Sequence, residues 1–175
     1  MTWHTGPQCS IDTNPTPGST LPAFTGNVQN TDCTSSPGAN TGCAFGDPDP
    51  TSYGGGFNQA GGGVFAHSWE QEGIKIWHFS RSSIPNDITS GSPDPSNWPP
   101  PIAFLSNTQC DMASHFLVHS LVIDTTLCGD WAGNSNVYAS SGCPGTCAQA
   151  VSKASNFQST SVLFIALDCD KLVLN

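Results

Sequence analysis

The chain has 175 residues, long enough for a domain with a sizeable core, so neither disulfides nor a metal are required merely to reach a folding size. Its formal net charge is -9, and its 4 cations (Lys75, Arg81, Lys153 and Lys171) form no basic patch for phosphates or anionic lipid headgroups. Nucleic acid and membrane surfaces are thereby excluded as partners. A neutral polysaccharide, recognised through aromatic faces and uncharged hydrogen bonds, stays open.

With 18 Gly and 14 Pro, few charges and abundant Ser, Thr and Asn, the composition predicts an all-β domain of short strands and turn-rich loops. No apolar run of about 18 residues occurs that would span a membrane. Eight cysteines (Cys9, Cys33, Cys43, Cys110, Cys128, Cys143, Cys147 and Cys169) form an even set without the paired Cys and His spacing of a zinc site. They point to disulfides and to a secreted protein in an oxidising compartment. Cys33 with Cys43, closing a short loop, is the expected first pair. No signal peptide precedes Thr2, and the expectation is that Met1 is not the original start of a secreted precursor.

Taken in order, Met1 to Thr5 has strand composition and runs into Gly6-Pro7. Residues 12–62 are mostly turn formers and are expected to be surface loops held by cysteines. Val64 to Trp69 and Ile74 to Phe79 should form two strands joined through Glu70-Gln71-Glu72-Gly73. Ile74, Ile76 and His78 would then face one side, and Lys75, Trp77 and Phe79 the other. A Pro-rich loop follows over 82–101, then a short strand at Ile102 to Leu105. His115 to Asp124 is an apolar run suited to a strand buried on both faces. Thr146 to Ser155 is the one expected helix, and Ser161 to Leu167 and Lys171 to Leu174 are the expected closing strands. No internal repeat and no Asn-X-Ser/Thr sequon is present.

The stretch from Leu127 to Cys147 carries most of the functional signal. Trp131 sits between small and polar residues, too polar a setting for a core strand, and an indole ring offers an apolar plane that tolerates partial wetting. It is read as a platform for a sugar ring. Asp130 beside it either contacts sugar hydroxyls or closes its own turn. Trp3, Trp69, Trp77 and Trp98 are further aromatic candidates, with Trp77 assigned to the core.

Other clusters have plainer readings. Glu70 and Glu72 share a face if extended, but a hairpin tip leaves both solvated, a setting unsuited to a catalytic pair. Asp47-Pro-Asp-Pro is a solvated turn rather than a calcium cage. His115 and His119 lack a third ligand, and Cys143-Pro-Gly-Thr-Cys147 is one residue too long for a Cys-x-x-Cys redox motif and reads as a fixed disulfide loop. No cofactor or metal is called for.

Seven motifs in shared order resemble the C-terminal half of fungal laminarinase-like enzymes of glycoside hydrolase family 16, the endo-1,3(4)-β-glucanases. They are Met-Thr-Trp-His-Thr-Gly-Pro-Gln-Cys at 1–9, Ser-Tyr-Gly-Gly-Gly-Phe-Asn-Gln-Ala-Gly-Gly-Gly-Val-Phe-Ala at 52–66, Ile-Lys-Ile-Trp-His-Phe-Ser-Arg at 74–81, Asn-Thr-Gln-Cys-Asp at 107–111, His-Phe at 115–116, Cys-Gly-Asp-Trp-Ala-Gly at 128–133 and Ser-Gly-Cys-Pro-Gly-Thr-Cys at 141–147. The resemblance spans nearly the whole chain. It implies a concave jelly-roll β-sandwich, here partial or rearranged, with an open cleft for β-1,3-linked glucan. By position, Trp131 looks like a cleft aromatic and His4 like the strand residue that points into the cleft.

The chain departs from that family in one respect. The catalytic signature Glu-x-Asp-x-x-Glu does not occur in it, and retaining hydrolysis needs two carboxyls about 5 to 5.5 Å apart. The expected function is therefore β-glucan binding without a catalytic pair. The alternatives are part of a retaining endo-β-glucanase whose catalytic strand lies on a separate segment, or a structural or defence protein on the same scaffold. A sandwich short of strands exposes edges, so a homo-oligomer or a complementing N-terminal segment is the expected partner beside the glucan.

Overall fold

The computed structural model describes residues 1–13, 24–120, 122, 127–157, 164–168 and 171–174. The chain divides into two compact units, Met1–Val118 with Leu163–Asn175, and His119–Val162. The fold is mostly β, with a few short helices.

The first unit contains two sheets. Strands β1 (Thr2–Trp3), β2 (Asn27–Asn30) and β3 (Cys43–Gly46) form an antiparallel sheet in the order β1-β3-β2. Strands β4 (Gly63–Glu70), β5 (Gly73–Ser80), β6 (Ala103–Ser106), β7 (Phe164–Asp168) and β8 (Lys171–Leu174) form a second, ordered β6-β5-β4-β8-β7. The two closing strands expected from sequence are present, pairing Phe164 with Leu174 and Ile165 with Val173.

β4 and β5 make the expected hairpin, pairing residue for residue from Gly63↔Ser80 to Glu70↔Gly73 around a two-residue turn. Gly73 takes φ +141°, and a Cβ there would lie 2.1 Å from the Leu105 carbonyl oxygen, so only glycine lets β5 and β6 meet at that point. Opposed residues share a face. Ile74 and Ile76 therefore turn toward a core built with Trp3, Phe45, Leu105 and the buried cystines, while Trp77 and Phe79 join Val64, Ala66 and Ile88 in a second cluster. The alternation read from sequence holds.

That second cluster explains the Pro-rich segment. Instead of a featureless loop, 82–101 includes helix α2 (Asn86–Thr89) and two 3-10 turns, Arg81–Ser83 and Pro95–Asn97. Trp98 packs edge-on to Trp77 at 5.1 Å and to Phe79 at 5.3 Å, and its indole N–H donates to Asp87 Oδ2 at 2.7 Å. Burial pushes the Asp87 carboxyl up, but hydrogen bonds from Asp94 N–H, the Trp98 indole and Ile88 N–H outweigh it and hold the group below its ordinary value. Trp77 donates to the Pro99 carbonyl at 2.8 Å. Both rings are structural.

The structure corrects several expectations. The 12–62 region holds β2, β3 and helix α1 (Gly54–Gln59); strands of 4 residues and a helix of 6 are too short to show a period. Further short helices are α3 (Met112–His115), α4 (Ser135–Ser140) and α5 (Cys147–Val151), so the single expected helix becomes five among the described residues. α5 is the expected one, opened by a capping box between Thr146 and Gln149.

The buried strand at His115 to Asp124 is not formed in its described part. His115 ends α3, which Asp111 caps, and Leu117, Val118 and Val122 are 72%, 94% and 78% exposed. No strand among the described residues pairs with this run, and an apolar run without a partner has no sheet to enter. Leu121 and residues 123–124 lie outside the described residues.

Disulfides join Cys9 to Cys110, Cys33 to Cys43 as expected, and Cys128 to Cys147. Cys143 is exposed and joins no disulfide among the described residues. Cys147, set at the start of α5 with its Cα 5.7 Å from that of Cys128, is the half of the Cys143–Cys147 motif that is used. Cys169 lies outside the described residues.

Candidate functional site

The three-stranded sheet has a core face and an outward face. Trp3, Cys43 and Phe45 are buried, with Phe45 edge-on to Trp3 at 5.9 Å and to Phe24 at 4.8 Å. Alternation turns Thr2, Ala44, Gly46 and Asn27 outward, since Thr2 pairs with Ala44 and Asn27 with Gly46. His4 continues this face and is exposed. Gly42 accommodates it: its φ is +66°, and a Cβ there would lie 2.4 Å from the Trp3 carbonyl oxygen and 2.8 Å from His4 Nδ1. Gln29 lies over Gly46, where a Cβ would meet its Nε2 at 2.8 Å. The result is an open polar strip of an imidazole, amides and a hydroxyl, on the face of the sheet opposite the aromatic core.

Asp47 and His78, missed as a pair in the sequence, stand at the end of β3. His78 Nδ1 lies 3.1 Å from Asp47 Oδ2, with side chains 1% and 8% exposed. His78 also stacks on Phe65, its pairing partner across β4 and β5, at 4.8 Å. Thirty-one residues separate Asp47 from His78, and only the strand register reveals their meeting. The Asp47-Pro-Asp-Pro turn closes as expected: Asp47 Oδ1 accepts from Asp49 N–H at 2.9 Å, and Asp49 Oδ1 accepts from Thr51 N–H at 2.8 Å. The backbone and hydroxyl bonds from Thr51 hold the Asp49 carboxyl below its ordinary value.

In the second unit, Trp131 and Asp130 share one exposed turn. Cys128 takes a left-handed backbone, φ 57°, beside its disulfide to Cys147. Gly133 N–H then donates to the Gly129 carbonyl at 2.7 Å, and Asn134 N–H to that of Trp131 at 3.2 Å. Trp131 is 78% exposed. Asn134 caps α4 by accepting from Asn136 N–H at 3.0 Å, which fixes the exit of the turn.

Glu70 and Glu72 stand at the hairpin tip. Both share Lys75, whose Nζ is 3.8 Å from Glu70 Oε2 and 2.8 Å from Glu72 Oε2.

His115 is structural. Its Nε2 lies 2.9 Å from the Pro7 carbonyl oxygen and its Nδ1 3.0 Å from that of Asp111, so both nitrogens donate only in the imidazolium form. These carbonyls, Pro7 foremost, raise its pKa above 6.5. Because the folded value is the higher, its stabilising contribution is complete below 6.5 and disappears as pH rises through the folded value. Thermal melts of the native chain and His115→Gln should therefore differ most in acid and converge in base; a gap that widens with pH would contradict the assignment.

Two antiparallel sheets with short helices and cystine-held loops fit a β jelly roll. The family model that matches is the XgeA-like catalytic domain of glycoside hydrolase family 16, over residues 1–167, and the chain belongs to this family. A probable glycosidase of Schizosaccharomyces pombe is 44% identical over 149 residues, 84% of this chain and 34% of its own. An endo-1,3(4)-beta-glucanase of Emericella nidulans is 42% identical over 121 residues, 69% of this chain and 18% of its own.

Among solved structures, laminarinase 16A of Phanerochaete chrysosporium, with two β-glucans in its donor and acceptor sites, superposes with a TM-score of 0.72 at 33% identity. The match covers 99% of this chain and 54% of that one. An elongating family 16 beta-1,3-glucosyltransferase gives 0.71 at 34% identity, covering 100% and 55%. The chain thus spans about half the length of these structures, and its matches cover 34% and 18% of the two curated relatives.

Proposed function

We propose that this chain binds β-1,3-glucan, with Trp131 and Asp130 as the contacts offered by its second unit and His4 as the contact offered by its first, and that it does not hydrolyse the glucan by itself. The observation that carries the reading is Trp131: a tryptophan 78% exposed on a turn fixed by a disulfide and two backbone hydrogen bonds. Leaving a large apolar ring in water costs stability, and a sugar face removes that cost. The glucans bound by laminarinase 16A supply the ligand class. The outward strip of His4, Thr2 and Asn27 offers the uncharged donors and acceptors that sugar hydroxyls need. Three disulfides among the described residues favour a secreted setting.

Calorimetric titration with laminarin tests this. Trp131→Ala should weaken binding about tenfold, the equivalent of about 1.4 kcal/mol, since a stacked ring contributes on the order of 1 kcal/mol beyond its area. Unchanged affinity would instead support the scaffold's reuse as a structural protein.

A second reading is favoured by the exposed Leu117 and Val118 of the first unit. In it, this chain is part of a retaining endo-β-glucanase, and a complementing segment with the catalytic strand, or a second copy of the chain, covers those two side chains.

A further inference from the structure

A recess of about 600 Å³ opens where the tip of the β4–β5 hairpin meets the segment around α3. It shares no lining residue with the outward strip that carries His4. Trp69 and Phe116 form its apolar corner, edge-on at 6.2 Å with 71° between their planes. Both are half-buried and anchored on the main core. They are held on one side and wetted on the other, the setting in which an aromatic ring meets a pyranose face.

The polar rim is held in place by bonds within the chain. Glu70 Oε1 accepts from the Ser68 hydroxyl at 2.7 Å, and its Oε2 lies 3.8 Å from Lys75 Nζ. Asn107 Oδ1 accepts from Met112 N–H at 2.8 Å, and Asp111 Oδ1 from Ala113 N–H at 3.3 Å. Gln71 stands exposed at the hairpin tip. Such groups retain lone pairs or N–H bonds for hydroxyl partners. Two carboxylates repel an anionic ligand, while Lys75 offsets the pull of Glu70 and Glu72 on a cation. The volume falls within the range of about 300 to 1,000 Å³ usual for small-ligand sites.

We propose that this recess is a carbohydrate-binding subsite separate from the Trp131 turn, taking a short stretch of neutral β-glucan against Trp69 and Phe116. Its lining fits a neutral sugar without any part played by Trp131, and that the sugar is a β-glucan rests on the function proposed above. The site would hold a polymer at a second point without reacting with it.

Fluorine NMR of the chain labelled with 5-fluorotryptophan separates the two sites, because its 5 tryptophans give separate reporters. Trp69→Phe identifies the Trp69 signal and Trp131→Ala the other. Titration with laminarihexaose should shift the Trp69 signal saturably, and the shift should survive in Trp131→Ala. Glu70→Gln with Gln71→Ala should weaken it at least fivefold while leaving the sugar-free spectrum in place. A Trp69 signal that stays still, or that moves only when Trp131 is intact, overturns the inference. Movement at Trp69 without movement at Trp131 supports it while removing the proposed role of Trp131.

Discussion

Replacing both Cys9 and Cys110 by alanine should cost about 4 to 5 kcal/mol, against about 3 kcal/mol for the matching Cys33 and Cys43 replacement. The reason is loop length. Cys9 and Cys110 are separated by 101 residues and Cys33 and Cys43 by 10, and a crosslink removes more freedom from the unfolded chain as the loop it closes grows.

The longer crosslink also sits in a built setting. Its cysteines are 2% and 1% exposed and pair as an antiparallel bridge, with Ser10 N–H donating to the Gln109 carbonyl at 3.0 Å and Cys33 N–H to that of Cys9 at 3.1 Å. The effect approaches the whole stability of a typical domain, about 5 to 15 kcal/mol. Urea unfolding of the two double variants measures it. Equal losses, or a larger loss for the short loop, would mean that packing around the sulfurs outweighs chain entropy.

Legibility from sequence followed the length and periodicity of each element. The β4–β5 hairpin was readable because eight-residue strands show alternation, and its faces sort Ile74 and Ile76 from Trp77 and Phe79 as the pattern says. β2 and β3 were hidden because four residues among turn formers carry no period; their order comes from the Cys33–Cys43 crosslink and from pairing with β1. The run after His115 was misread because apolar composition gives a strand's capacity, not its partner. The exposure of Trp131 was legible through its small, polar neighbours. The Asp47–His78 pair and the Trp69–Phe116 recess were not, since both are products of strand register and loop return over long separations.

The second large effect concerns hydrolysis itself. Retaining cleavage requires a nucleophile and a general acid whose pKa is raised, about 5 to 5.5 Å apart. Among the described carboxyls with a shifted pKa, every shift is downward: Asp32 through hydrogen bonds from Thr34, Asp49 through those from Thr51, and Asp87 where bonds from Asp94 and Trp98 outweigh burial. Each is held as an anion and serves a turn. Glu70 and Glu72 are bound to one lysine. Catalysed glycoside hydrolysis exceeds the uncatalysed reaction by many orders of magnitude, so the presence or absence of a catalytic pair leaves no intermediate outcome.

The decisive measurement is the release of reducing ends from laminarin by the homogeneous chain, with binding followed in the same sample. The account predicts saturable binding and no release above the buffer control. Sustained release by this chain alone, at a rate expected of a family 16 glucanase, would contradict it.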